Sequence, residues 1–431
     1  MNSSQGKRFR QASIAITSAF AIAALAGCAS TPAAPDAPTE PVDLTVTIWS
    51  ANEAHLALFN EIADAYVEDH SDTVASITFE TIPFDSYTST LTTRIAGNDS
   101  PDLAWVLESS APEFVESGAL APLTATLEGT KGYDFADLNE SALSLWTAED
   151  ELYAYPFSTS PQIVLVNNDL YRTAGVPTPR EQFDDGDWTW ESVAESSAAI
   201  SAATGTPGYQ MYPVSWQYLA IVWDSFGAQP WSDDYTTCEF DSPEMVDAFQ
   251  YIHDGVYADG AFPEPGSNYD FFTGQTAMIV TGISQASKLD GTFDWDALPL
   301  PAGPEGQANI IGQAGIGALS SGKNVQQATD FLAYFTNPEN AAQLAQFFPA
   351  PRLSLTTAEK LAAVNPTLSE DQLQQIVVDT VTDASTFPTH PNFAAISNAV
   401  QPKLDAFWAA DADVESVLAS VCTAVDPLLQ R

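Results

Sequence analysis

Basic residues are scarce in this 431-residue sequence, in which 13 Lys and Arg stand against 57 Asp and Glu for a formal net charge of −44. A surface of this sign repels nucleic acid and anionic lipid, so we expect no nucleic-acid partner. The same charge disfavours an anionic ligand, unless one of the few basic residues is specially placed. A salty habitat would favour the same composition, and the sequence does not separate the two causes.

Histidine and recognisable catalytic motifs are also sparse. The four histidines, His55, His70, His253 and His390, are scattered, without a metal-ligand spacing such as H-E-x-x-H. There is no G-x-S-x-G nucleophile elbow and no phosphate-binding loop. Carboxylates are so abundant that a pair suited to glycoside hydrolysis could be drawn anywhere, so such a pair is uninformative. We therefore expect a protein that is not an enzyme and has no metal or cofactor.

Long apolar runs are missing as well, because a membrane-spanning helix needs about 20 such residues and residues 14–25 supply only a short run. Three basic residues between positions 7 and 10 precede this run, and Leu25-Ala26-Gly27-Cys28 follows it. This order predicts a signal peptide over residues 1–27. The Leu-Ala-Gly-Cys segment resembles the bacterial lipobox, which implies that Cys28 becomes the lipidated first residue of the mature protein. An ordinary signal peptide with a chance cysteine is the alternative.

A spacer and a large globular body follow Cys28. The segment after it is rich in Pro, Ala and Thr, so residues 28–42 are predicted to be the lipidated cysteine and a flexible spacer. The rest of the chain is long enough for two domains. We expect a monomer on the outer face of the cell membrane, held there through its N-terminal lipid only.

Only two further cysteines are present, Cys238 and Cys422. They form an even pair outside any metal-type spacing, in a chain that the signal sequence directs to an oxidising compartment. We expect a disulfide between them, with two buried thiols as the alternative.

Strand and helix patterns alternate after the spacer. Residues 44–49 alternate apolar and polar side chains as a strand does, and residues 53–69 repeat apolar side chains at helical spacing. Further strands are predicted at 76–82 and 103–107, and further helices at 216–226 and 243–257. This alternation indicates an α/β fold with a largely parallel sheet.

Several segments, taken in order, resemble the type-I extracellular solute-binding proteins of carbohydrate ABC importers. They include the following sequences: Pro101-Asp-Leu-Ala-Trp-Val-Leu, Tyr155-Pro-Phe-Ser-Thr-Ser, Phe272-Thr-Gly-Gln-Thr-Ala-Met and Pro349-Ala-Pro-Arg. The resemblance extends over nearly the whole mature chain. It implies a two-lobed periplasmic-binding-protein-like fold with a hinge between the lobes, a small-molecule sugar ligand, and ABC importer permease subunits as partners.

The resemblance also suggests how the chain divides between the lobes. We expect the N-terminal lobe to comprise residues 43–157 and 298–348. The C-terminal lobe is expected to comprise residues 158–297 and 349–431. The ligand cleft would then lie at the hinge.

Candidate ligand-binding residues follow the predicted strand ends, where open α/β sheets place their ligands. These polar residues are Ser50, Asn52, Glu53, Glu108, Ser109, Ser158, Ser160 and Gln162. A helix N-cap or a solvated turn is the alternative role for several of them.

The resemblance adds further candidates. Trp216 stands where related proteins often carry a stacking aromatic, with Tyr212 nearby, and Gln313 and Arg352 are weaker candidates. After Gly282, related proteins often carry a stacking Trp, but this chain has Ile283, Ser284 and Gln285, of which Ser284 and Gln285 are polar candidates for ligand contacts. The sugar platform of that lobe is therefore missing or supplied by another segment.

A neutral sugar presents hydroxyl groups and apolar C–H faces, so its cleft combines aromatic rings with neutral polar side chains. We therefore expect a neutral mono- or oligosaccharide as ligand. The alternatives are the same fold binding a polyamine or a sugar phosphate, and an exported glycoside hydrolase.

Overall fold

The protein, described here from a computed structural model, is a mixed α/β chain in which strands and helices alternate. The structure describes residues 40–210, 215–232, 234–381 and 384–429. The predicted signal peptide, the lipidation site at Cys28 and nearly all of the spacer lie outside these residues.

The strands form one large sheet and two short hairpins. Their bounds are Val42–Ile48 (β1), Val74–Thr81 (β2), Leu103–Leu107 (β3), Thr147–Ala148 (β4), Glu151–Leu152 (β5), Tyr155–Asn167 (β6), Tyr209–Gln210 (β7), Met278–Gly282 (β8), Trp295–Leu298 (β9), Ala302–Gly303 (β10), Gly306–Gln307 (β11), Ile310–Ala318 (β12) and Ser385–Thr386 (β13).

The α-helices cover the sheet and fill both lobes. Their bounds are Glu53–Asp69 (α1), Tyr87–Ala96 (α2), Ala111–Glu116 (α3), Thr124–Gly129 (α4), Glu140–Leu143 (α5), Asn168–Ala174 (α6), Pro179–Asp185 (α7), Trp190–Thr204 (α8), Ala220–Trp223 (α9), Pro243–Tyr257 (α10), Val325–Phe335 (α11), Pro338–Leu344 (α12), Ala358–Val364 (α13), Glu370–Leu373 (α14), Asp379–Val381 (α15), Phe393–Leu404 (α16) and Val414–Leu429 (α17).

In the first lobe the sheet has the strand order β2-β1-β3-β12-β6. The strands β1, β2 and β3 are parallel, as the strand-helix alternation predicts, whereas β12 is antiparallel to both β3 and β6. The first three strands therefore point their carboxyl ends to one edge of the sheet, where α1 begins after β1.

The long strand β6 connects the two lobes. Its first half, through Pro161, pairs with β12, and its second half, from Gln162, pairs with β8 and β9. Side chains along its second half alternate between two cores: Val164 and Val166 face one, and Ile163 and Leu165 face the other. The second lobe's sheet is thus buried on both faces, which explains the uninterrupted apolar run in this strand.

Separate hydrophobic cores define the two lobes. The first lobe's core is built from buried side chains of β1, β3, α1 and α11, with Phe348 at its later end. The second lobe has a larger core that includes α10, α16 and α17. The two-lobed α/β architecture predicted from the sequence is confirmed.

The chain returns to the first core later than the sequence suggests. The expected boundary is residue 298, yet Leu298, Leu300 and Ile310 pack in the second core, and the chain joins the first core at Ala314. The return occurs within β12, because this strand pairs with β6 along the region where β6 itself changes lobes.

Glycine explains why β12 gives no strand signal in the sequence. A Cβ on Gly315 would lie 2.7 Å from the ring of Trp146, and one on Gly317 would lie 2.9 Å from the side chain of Leu120. Both glycines therefore make room for large core residues to pack directly against the strand backbone. The cost is the loss of the β-branched pattern by which a strand is recognised.

A disulfide joins Cys238 to Cys422 within the second lobe, with Cα atoms 5.3 Å apart. It ties the short loop after Trp231 to the last helix, α17. Both partners are almost fully buried.

Among the residues that the structure describes, no helix combines the length and the apolar character needed to cross a membrane.

Candidate functional site

A cleft of about 800 Å³ lies between the two lobes. Its first wall comes from the segment after β1 and from aromatic residues of the first core, and its second wall comes from β6, β8 and the turns beside them. The lining residues are Trp49, Ser50, Ala51, Asn52, Glu53, His55, Phe84, Trp105, Gln162, Tyr218, Ile221, Val280, Thr281, Gly282, Ser284, Gln285, Lys288, Phe348 and Phe387.

Trp49 is the central aromatic residue of the first wall. It directly follows β1, and its partly exposed ring meets Trp105 edge-on at 4.7 Å between centroids and Tyr87 at 5.1 Å. Trp105 in turn stacks on Phe157, 4.4 Å away, deep in the first core. The packed rings behind Trp49 hold it at a fixed angle to the cleft, as a platform for an apolar face requires.

Hydrogen bonds order the polar residues beside Trp49. The Asn52 side chain accepts a hydrogen bond from the backbone N–H of Ala54 at 2.9 Å and so caps α1. This is the N-cap role that the sequence offers as the alternative to ligand binding. Ser50 Oγ lies 2.8 Å from Nδ1 of His55 and accepts the backbone N–H of Asn52 at 3.3 Å. The Ser50 hydroxyl is therefore positioned by groups on both sides.

His55 is buried against aromatic rings and is uncharged at neutral pH. Its ring centroid is 4.5 Å from that of Phe347 and 4.8 Å from that of Phe348. Burial, together with the smaller effect of the nearby charge of Lys288, lowers the pKa of His55 to about 4. The imidazole therefore supports Ser50 as a neutral hydrogen-bonding group.

Gln162 provides an amide on the second wall because two glycines leave space for it. Gln162 pairs with Gly282 across β6 and β8. Its Nε2 lies 3.7 Å from the place of a Cβ on Gly282 and 3.3 Å from that of a Cβ on Gly312. A side chain at position 312 would crowd this amide, whereas a Cβ at position 282 would make an ordinary van der Waals contact with it.

The aromatic surface of the second wall comes from residues other than a Trp after Gly282. Ser284 and Gln285 line the cleft at that place, in the 3₁₀ turn Ile283–Lys288. The rings of Tyr218 and Phe387 meet edge-on nearby, with centroids 5.0 Å apart. These two rings supply aromatic surface on the second wall.

The cleft carries little charge for so acidic a protein. Among the described residues that line it, Glu53 is the one carboxylate and Lys288 the one ammonium group. The ammonium of Lys288 lies 5.3 Å from the ring centroid of Phe272. Within the part of the chain that the structure describes, no group of three His, Cys, Asp or Glu side chains is arranged to hold a metal ion.

The structure brings six of the predicted residues together in the cleft: Ser50, Asn52, Glu53, Gln162, Ser284 and Gln285.

The predicted residues after β3 do not line it. Glu108 is buried, and burial raises the pKa of its carboxyl group to about 7, although backbone N–H groups of Glu108 itself and Gln313 partly offset this effect. Ser109 is also outside the lining.

Two predicted serines of the crossing strand are likewise internal. Ser158 and Ser160 are both buried, with their hydroxyl oxygens 2.7 Å apart, so they satisfy each other instead of facing the cleft.

Gln313 and Arg352 have structural partners away from the cleft. Gln313 is buried and accepts a hydrogen bond from the indole N–H of Trp146 at 3.0 Å. The guanidinium of Arg352 is fully buried, lies over the ring of Tyr133 and is 3.6 Å from the carboxylate of Asp137. Both side chains therefore stabilise the folded structure through buried contacts and do not line the cleft.

Trp216 is a core residue, which corrects its expected role as the stacking platform. Only 1% of it is exposed, its indole N–H donates to Ser397 Oγ at 3.1 Å, and its ring packs on Phe240 and Phe393. The other expected aromatic, Tyr212, lies outside the described residues.

Sequence reasoning missed most of the aromatic lining. Trp49 carried a usable signal, because it follows β1 in the same way as Ser50 does. Phe348, Phe387 and Tyr218 reach the cleft from turns that are distant in sequence, and their local patterns do not distinguish them from core residues.

Two lobes around a cleft of aromatic and neutral polar side chains define a solute-binding protein. The family model for bacterial extracellular solute-binding proteins matches residues 50–342. The chain belongs to this family.

Curated relatives are similar over most of the chain. The arabinooligosaccharide-binding protein of Halalkalibacterium halodurans is 24% identical over 312 residues, which cover 68% of this chain and 67% of the relative. The sn-glycerol-3-phosphate-binding periplasmic protein of Yersinia enterocolitica is 24% identical over 344 residues, 73% of this chain and 74% of the relative.

Solved structures share the fold. An ABC substrate-binding protein from Listeria monocytogenes in complex with cycloalternan superposes with a TM-score of 0.78 at 23% identity, covering 90% of this chain and 99% of that one. A maltose-bound protein of T. maritima gives a TM-score of 0.76 at 18% identity, with the same coverage.

Proposed function

We propose that this protein captures a neutral mono- or oligosaccharide in the cleft between its lobes and delivers it to the permease subunits of an ABC importer. The observation that carries the proposal is the composition of the cleft. Rings on both walls, Trp49 on one and Tyr218 and Phe387 on the other, face hydroxyl and amide groups of Ser50, Gln162 and Ser284. Such a surface suits the apolar faces and hydroxyl groups of a sugar.

The charges of the cleft favour a neutral ligand over the two charged alternatives. A sugar phosphate would call for clustered Arg or Lys, and the described lining has Lys288 alone. A polyamine would call for several carboxylates, and the described lining has Glu53 alone.

Binding without turnover also agrees with this lining. Glycoside hydrolysis requires two carboxyl groups on either side of the scissile bond, about 5–10 Å apart. Glu53 has no carboxylate companion among the described residues of the cleft. The two curated relatives described above are both named as binding proteins.

The arrangement of the crossing strands supports a hinge motion. Both β6 and β12 change lobes within their own length, so a small bend at Pro161 and Ile311 would move one wall of the cleft toward the other. Ligand drives closure only when it touches both walls more favourably in the closed form. We propose that a sugar between Trp49 and Tyr218 does so.

The test is a thermal-shift screen of the purified mature protein against saccharides, polyamines and sugar phosphates, followed by calorimetry on each hit. A ligand present at 100 times its Kd should add about 2.7 kcal/mol to the free energy of unfolding. Stabilisation by saccharides with no sugar turnover is expected. Stabilisation by polyamines or sugar phosphates alone would contradict the proposal, and so would sugar hydrolysis.

We also propose that the protein is exported and anchored through a lipid on Cys28, on the strength of Leu25-Ala26-Gly27-Cys28 at the end of a short apolar run. The variant Cys28→Ser should appear in the culture medium, while wild-type protein should fractionate with membranes. Release of both proteins to the same extent would contradict the anchor.

A further inference from the structure

A second, smaller cavity adjoins the cleft on the side of the second lobe. Its volume is about 240 Å³, and it lies between α9 and the segment around β13. The side chain of Phe387 lines both this cavity and the cleft. The two cavities therefore lie next to each other, with Phe387 between them.

The wall of this side cavity has the same chemistry as the cleft. Trp231 and Tyr235 contribute rings, and Ser385 and Asp224 contribute polar groups. The Asp224 carboxylate is held in place by Ser385 Oγ, which donates at 2.8 Å, and by Gln229 Nε2, which donates at 3.0 Å. A positioned carboxylate beside aromatic rings is an acceptor for sugar hydroxyl groups.

Tyr235 is the most unusual residue of this wall. It is 42% exposed, one of three large hydrophobic side chains of the described chain with such exposure. Its backbone is left-handed, with φ of 59°, and the other four non-glycine residues with positive φ among the described residues are Asn, Asp or Glu. A bulky residue in this region is strained and persists only where its surroundings hold it.

The surroundings of Tyr235 do hold it. The described residues on either side of it are paired: Trp231 forms an antiparallel β-bridge with Cys238, and the N–H of Ser232 donates to the carbonyl of Thr237 at 2.9 Å. Cys238 is fixed to α17 by the disulfide. The rings of Trp231 and Tyr235 both pack edge-on against His390, at 5.5 and 5.3 Å between centroids.

We propose that the side cavity is a distal sugar subsite, in which Tyr235 stacks on a further unit of an oligosaccharide whose first units occupy the cleft. This inference rests on the proposed carbohydrate-binding function and adds that the preferred ligand is an oligosaccharide. A tyrosine side chain has few rotatable bonds and so loses little conformational freedom on binding, which suits a stacking platform.

The experiment measures affinity as a function of ligand length. Calorimetric titrations with arabino-, malto- and cello-oligosaccharides of two to six units are run on wild type, Tyr235→Ala, Tyr235→Phe and Phe84→Ala. Tyr235→Ala should weaken binding of the longer members about three- to tenfold and leave the affinity for the disaccharide unchanged. Tyr235→Phe keeps the ring and should match wild type.

Phe84→Ala is the matched control, because Phe84 is equally exposed but lines the cleft itself. It should weaken short and long ligands alike. Equal effects of Tyr235→Ala on every length, or no effect on any, would overturn the subsite, as would a wild-type affinity that does not rise beyond the disaccharide. If no saccharide binds wild type, the proposed function itself fails and the subsite with it. Melting temperatures of all four proteins verify that each is folded.

Discussion

Trp49 and Trp105 meet edge-on across the floor of the cleft, with 4.7 Å between ring centroids and 71° between ring planes. Trp105 is fully buried in the first core, whereas Trp49 is partly exposed. The pair thus connects the packing of the first lobe to the lining of the cleft.

The variant Trp49→Ala should weaken saccharide binding by about tenfold or more, because it removes the apolar platform of the first wall. Trp49→Phe should retain part of the affinity. Calorimetric titration gives the affinities, and urea unfolding shows how much of the effect is loss of folded protein. Unchanged affinity of a folded Trp49→Ala protein would place the platform elsewhere.

Trp216→Ala should act on stability instead of recognition. Deleting a buried tryptophan from a packed core costs about 3–5 kcal/mol of unfolding free energy, and Trp216 is buried among Phe240, Phe393 and Trp223. The milder Trp216→Phe variant should bind sugar with wild-type affinity while unfolding at lower urea concentration. A large loss of affinity in a folded Trp216→Phe protein would return this residue to the binding site.

Glu108 should make the folded protein less stable as the pH rises. Burial raises its pKa from 4.5 to about 7, so the folded state holds a proton that the unfolded chain releases between these values. The stabilisation is therefore complete below pH 4.5 and is lost as the pH rises through 7, with an upper limit of about 3 kcal/mol.

Thermal unfolding of Glu108→Gln from pH 4.5 to 8.5 tests this expectation. The variant should match wild type near pH 4.5 and exceed its melting temperature at pH 8. Glu113→Gln removes the same charge from an exposed position on α3 and serves as control. Parallel pH profiles of all three proteins would show that Glu108 does not titrate in this range.

Removing the disulfide should destabilise the second lobe. Cys238 and Cys422 are 184 residues apart, and closing so long a loop contributes about 5 kcal/mol in the chain-entropy model, less any residual structure in the unfolded chain. The double variant Cys238→Ala, Cys422→Ala should unfold at lower urea concentration, and reductant should lower the stability of wild type but not that of the variant. A reductant effect of equal size on both proteins would contradict this origin.

The sequence predicts the helices and strands of this fold better than it predicts which side chains of a turn are buried and which line the cleft. Strictly periodic segments such as α1 and α10 have the expected bounds, because their apolar faces are buried along their whole length. The segment from residue 216 to 226 is different. It reads as one helix but forms a 3₁₀ turn, the short α9 and another 3₁₀ turn.

Tertiary packing decides which aromatic residue of this segment lines the cleft. Residues two apart point in well-separated directions in a 3₁₀ turn, as they also do in an α-helix. Trp216 consequently enters the core while Tyr218 lines the cleft. Local periodicity does not specify this choice, which is made by the tertiary contacts of Phe387 with Tyr218 and of Phe393 with Trp216.

The position of β12 also governs the order in which the protein can fold. In the first lobe's sheet β12 lies between β3 and β6, although most of the second lobe is synthesised before it. The first lobe therefore cannot complete its sheet until β12 has been synthesised, and such long-range pairing slows folding. A chain interrupted before Ile310 would expose the edges of β3 and of the first half of β6 together, and exposed strand edges recruit other chains. Prematurely terminated protein is thus expected to aggregate instead of yielding an independently folded first lobe.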